Sequence, residues 1–141
     1  MIQKPTTELL DSLKNSETIQ NYLSECEKDF VKHPIRQYLN NLALEKGLSK
    51  SKIFAKAELN EIYGYQIFGD IKNPSRDKLL CICLGMELSL AEVTNVLKYA
   101  GYAVLYPRDR RDSIILYGIL NKADIYQINE WLYDAKEQTL C

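Results

Sequence analysis

Few residues in this chain could do covalent or metal chemistry. There are four cysteines, Cys26, Cys81, Cys83 and Cys141, and one histidine, His33. A zinc site needs four convergent ligands. No Cys-x-x-Cys pair occurs, and Cys81 and Cys83 are two apart, which on a helix points them to nearly opposite faces. Cys26 precedes His33 by two helical turns, roughly 10 Å, too far for a thiol–imidazole pair. The glycines are scattered and form no phosphate-cradling loop. These types and spacings predict buried, reduced thiols, no metal, no cofactor and no catalytic centre, so the chain does not read as an enzyme.

The remaining polar chemistry is of a kind that recognises surfaces. Arg108, Arg110 and Arg111 lie in the run Tyr106-Pro107-Arg108-Asp109-Arg110-Arg111-Asp112. They can clamp acidic side chains within the chain or across a dimer, or hold an anion; clamping is the preferred reading. Formal net charge is −1, but it is unevenly spread. Between Lys46 and Lys78, seven basic residues face four acids, whereas residues 1–34 and 112–141 are both net acidic. A basic centre between acidic ends fits a nucleic-acid face with solvated or dimerising flanks, although ordinary surface charge gives similar numbers. No apolar run approaches the roughly 20 residues of a membrane span. Residues 1–11 lack a signal-peptide pattern, so a cytoplasmic, non-membrane protein is expected.

Helical periodicity dominates the elements that must position these groups. Two short helices are expected in residues 1–34: Thr7 to Leu13, with Leu9, Leu10 and Leu13 on one face, and Ser16 to Asp29. Pro34 then breaks the chain. Seven helices follow from Ile35. The first carries Ile35, Tyr38, Leu39, Leu42 and Ala43 and closes at Gly47. Ser49, Asn60, Ser75 and Asp124 are natural N-caps, and Ser89 with Glu92 is a capping box. Tyr102 to Pro107 reads as a buried connector rather than a strand. Most tyrosines, including Tyr22, Tyr38, Tyr63, Tyr99 and Tyr117, fall on apolar stripes. Tyr65 is the one kept as a functional candidate, and Trp131 is expected to anchor the last helix.

Leu39-x-x-Leu42, Glu45-Lys46-Gly47-Leu48-Ser49, Ile53-x-x-Lys56-Ala57, Ile67 and Lys72-Asn73-Pro74-Ser75-x-x-x-Leu79-Leu80 together resemble the Cro/C1-type (XRE) helix-turn-helix family, over about half the chain, Ile35 to Ala100. The resemblance implies an all-α fold with a five-helix repressor-type core at 35–101. A helical arm at 1–34 and an extension at 102–141 would flank it. It implies that the helix from Asn60 enters a DNA major groove and presents Asn60, Glu61, Ile62, Tyr65 and Gln66. Gln66 would pair with adenine, Ile62 and Tyr65 would touch thymine methyls, and Asn60 would touch phosphate. Lys50 and Ser51 would meet phosphate or a base at the groove edge. Lys72, Asn73 and Arg76 would grip the backbone.

Two functions from different classes follow. The first is a sequence-specific, repressor-like regulator that binds double-stranded DNA as a homodimer. The second is a protein-interaction module, such as an antitoxin or adaptor, that keeps the architecture with little DNA binding; Glu61, Asp70 and the acidic ends favour it. Dimerisation is placed on the last two helices, through Ile114, Ile115, Ile119, Ile128, Trp131 and Leu132.

Overall fold

The computed structural model describes residues 6–25, 35–69 and 73–141. Cys26, His33, Pro34, Asp70 and Lys72 lie outside the described residues, and with them the roles expected of them. The chain divides into two units, 1–32 and 33–141. Residues 102–141, expected as an extension, belong to the second unit. All regular structure among the described residues is helical, and none of these helices is long and apolar enough to cross a membrane.

In the first unit, α1 (Thr6–Asn15) packs on α2 (Ile19–Glu25). The Thr18 hydroxyl accepts from the Asn21 N–H, which supplies the cap of α2. Tyr22 is buried, but Leu10 and Leu13 of the expected apolar face stay exposed, as do Ile19 and Leu23. Two short helices have too little facing surface to hide them all.

The second unit holds α3 (Ile35–Glu45), α4 (Lys50–Lys56), α5 (Glu61–Phe68), α6 (Arg76–Gly85), α7 (Leu90–Tyr99), α8 (Arg110–Leu120) and α9 (Ile125–Asp134). Polar caps start six of them. Ser49, Asn60, Ser75, Asp109 and Asp124 each accept from a first-turn N–H, and Ser89 and Glu92 close a reciprocal capping box. The ends are equally regular. After α3, α4, α6, α7, α8 and α9 the chain turns through a left-handed residue: Gly47, Glu58, Glu87, Gly101, Lys122 and Lys136. The next N–H then reaches back five residues, as Leu59 does to the Phe54 carbonyl at 2.9 Å. These are Schellman stops. Helix α5 lacks one; its terminal Gly69 has φ −96°.

One apolar core runs from Ile35 through Leu140. Helix α4 packs on α6, α3 on α5 and α7, and α8 on α9, while α7 and α6 touch α8 and α9 respectively. Leu39, Ile53, Phe54, Ile67, Leu79, Leu80 and Leu97 are completely buried. So are Ile115, Ile128 and Leu132, and Ile119 is nearly so. Ile115, Ile119, Ile128 and Leu132 of the surface expected to form a dimer therefore lie inside the chain, because the last two helices close on each other and on the core, while Ile114 and Trp131 are half-buried. Tyr117, expected on an inner stripe, is exposed, with its ring edge against Trp131 at 5.3 Å. Residues 102–107 form neither helix nor strand, and only Leu105 among them is buried.

Left-handed residues with side chains carry a conformational cost that glycine avoids. Replacing Lys122 (φ 56°) by Gly is therefore expected to raise stability by about 1 kcal/mol. Gly101→Ala (φ 81°) is expected to lower it by about the same amount, since an added Cβ there meets no atom and only the backbone objects. Urea unfolding midpoints check both.

Candidate nucleic-acid interface

The candidate face is built on α4, the turn 57–60 and α5. Their approach is fixed at Gly64, where a Cβ would lie 2.6 Å from the Phe54 ring. Phe54 is wholly buried and edge-packed against Phe68 and Tyr65, at 5.6 and 5.0 Å between centroids. It has nowhere to retreat. The inner face of α5 is Gly64, Ile67 and Phe68. Because α5 has no Schellman stop, its last carbonyls need another donor. Asn40 of α3 provides one: its Nδ2 donates to the Phe68 oxygen at 3.1 Å. The sequence reading missed Asn40. The available signal was an amide next to Leu39, at the edge of the buried stripe of α3.

The outer face gathers most of the expected contacts. Asn60 and Glu61 are exposed, Ile62 is 73 % exposed and Tyr65 49 %, and Gln66 is half-buried one turn on. Asn60 Oδ1 already accepts from the Ile62 and Tyr63 N–H groups, so the amide nitrogen is the part left for a ligand. Ser51 and Lys52 are exposed on the first turn of α4. Lys50 is half-buried with its Nζ 5.4 Å above the Phe68 ring, a cation–π contact that aims it across the base of α5. Asn73 is exposed.

Positive charge on this side is thinner than the residue count implies. Lys46 is 3.0 Å from Glu92 and Lys56 is 2.8 Å from Glu87. The Ser89 N–H, and then Lys46, hold the Glu92 carboxyl below its ordinary value.

Arg76 does not face outward with these groups. Its guanidinium forks onto the Asp112 carboxylate at 3.1 and 3.0 Å. It also donates to the carbonyls of Ala103 and Val104. With these donors engaged inside the chain, Arg76 is not available to grip a phosphate backbone. Its neighbour Asp77 receives the mirror contact, a fork from Arg111 at 2.9 and 3.0 Å. Arg111 further donates to the carbonyls of Gln138 and Thr139. Arg110 lies 3.7 Å from Glu137, while Arg108 is exposed. Of the arginine run, Arg111 thus clamps an acid within the chain, and its counterpart across the joint is Arg76.

Gly64→Ala is expected to cost about 2 kcal/mol of stability, since the methyl can enter only by displacing Phe54 or α5. Asp112 is buried and accepts both from Arg76 and from the Tyr106 N–H. Asp112→Ala is therefore expected to cost about 3 kcal/mol, and the more exposed Asp77→Ala clearly less. Chemical denaturation ranks the three. Comparisons with protein-family models, with characterised proteins and with solved structures give no match, so the role of this face rests on its own chemistry.

Proposed function

We propose that residues 35–101 work as a helix-turn-helix module of Cro/C1 type and that the chain is a sequence-specific, repressor-like DNA-binding regulator. The observation that carries this is the two-sidedness of α5. One face is locked into the core by Gly64, Ile67 and Phe68, and the other holds out Ile62, Tyr65 and Gln66 behind the Asn60 cap. A helix with its side chains is about 10–12 Å across, which fits a major groove about 12 Å wide. Gln66 suits the adenine edge, and Ile62 and Tyr65 suit thymine methyls. Glu61 can accept from cytosine N4. Lys50, Ser51, Lys52 and Asn73 would supply the phosphate contacts that set register. A homodimer on a two-fold site would double these contacts and offset the modest charge of one copy.

The pairing of Lys46, Lys56 and Arg76 within the chain, together with Ile62 and an 82 % exposed Leu44, favours a second reading: a module that docks a protein partner.

Selection of bound duplexes from a random-sequence pool separates the two. The regulator reading expects one enriched motif. At that motif Ile62→Ala and Gln66→Ala should each cost about 1–3 kcal/mol, with little loss on random duplex. Lys52→Ala should weaken both kinds of binding alike and lower the salt slope by about 1. Failure of any motif to enrich, with a stoichiometric protein partner retained in high salt, would establish the second reading instead.

A further inference from the structure

We propose that Cys81 and Cys141 are a dithiol pair, a modification site that a low-molecular-weight disulfide such as oxidised glutathione closes into an internal disulfide. Cys81 is wholly buried in α6, and its Sγ lies 3.8 Å from the Leu140 carbonyl oxygen. That oxygen is only three bonds from the Cys141 Cα. Several contacts keep the segment there. Arg111 holds the carbonyls of Gln138 and Thr139, and the Leu140 N–H donates to Asn129 Oδ1 at 2.8 Å. Leu140 is itself buried.

Cys141 is the exposed member. Its Sγ accepts from Asn129 Nδ2 of α9 at 3.2 Å and donates to Glu58 Oε2 of the α4–α5 turn at 3.3 Å. Cys83 is equally buried, but Cys81 is the α6 thiol that meets this segment. Glu58, Tyr126, Lys78, Asp77 and Cys83 are ionisable groups around the pair. Burial pushes Cys81 up to about 12, and Cys141 raises it further. Burial also raises Cys141, with Asn129 opposing and the Glu58 carboxylate adding to the rise. Both are thiols near neutral pH, so closure is slow there and speeds as pH rises.

The electrons balance in two exchanges. The Cys141 thiolate attacks one sulfur of oxidised glutathione and its S–S bond breaks. The departing glutathione thiolate takes up the proton that Cys141 lost. The Cys81 thiolate then attacks the Cys141 sulfur of the mixed disulfide, and a second glutathione leaves with the Cys81 proton. Two protein thiols are oxidised, and one glutathione disulfide is reduced to two thiols. The product removes the Cys141 S–H donor from Glu58, two residues before the Asn60 cap of α5.

The test uses the full chain with Cys26→Ser, incubated with oxidised glutathione from neutral to alkaline pH and read by intact mass and non-reducing peptide mapping. The expected product is a monomer lighter by two hydrogens, with peptides 81 and 141 joined and Cys83 alone alkylated after denaturation. Its urea midpoint should lie above that of the reduced chain, because a long loop has been closed. Glu58→Gln should speed closure several-fold at neutral pH, and Cys141→Ser, at the surface, should abolish it. A glutathione adduct on Cys141 that never closes, cross-linked dimers, or a bridge to Cys83 would each overturn the proposal.

Discussion

The second unit depends on bringing two helix N-termini together. Arg76 and Asp77 open α6, and Arg111 and Asp112 lie in the first turn of α8. Each N-terminus carries the positive end of its helix dipole. Two such ends, each with an arginine nearby, would repel if nothing intervened. The chain resolves this by exchange: each helix supplies the aspartate that the other helix's arginine forks onto. The aspartates therefore answer both the guanidinium charges and the dipoles. Planar two-point contact also fixes orientation, which a lysine's point charge would not do.

That joint also reaches residues 73–75, just before α6. Ser75 caps α6 directly beside Arg76, and Tyr102 donates its hydroxyl to the Pro74 carbonyl at 2.5 Å. The Asn73–Ser75 segment is thus held from the side of residues 102–112. Helix α5 is held by Asn40 and against Phe54 at Gly64. The outward side chains of α5 consequently stand on a fixed base.

Much of this was legible in the residue order. Ser49, Asn60, Ser75, Ser89 and Asp124 marked helix starts because a short polar side chain that satisfies a first-turn N–H is a local matter. Gly47 and Gly101 marked ends for the same reason. The left-handed stops at Glu58, Glu87, Lys122 and Lys136 were not marked, since a charged residue carries no sign of positive φ. The outward positions of α5 followed from helical periodicity. The direction of Arg76 did not: its partner is 36 residues away, and only the tertiary arrangement turns it inward. Arg76-Asp77 and Arg111-Asp112 carry the exchange, but Arg108-Asp109 repeats the same dipeptide, so residue order alone does not single them out. Four of the six residues expected at a dimer surface turn inward for a related reason. Periodicity shows that Ile115, Ile119, Ile128 and Leu132 are buried, but not whether they are buried against the same chain or another.

The clamp also determines where this polypeptide can be cut. A fragment ending near Gly101 would keep Arg76 and Asp77 but lose both of their partners, leaving charges that fit neither the core nor open water well. It would also uncover the apolar flank of α6 and α7. Residues 35–101 resemble a portable module in outline, yet their apolar core continues into 102–141, and the compact unit is 33–141. Grafts, fusions and expression boundaries should respect that length.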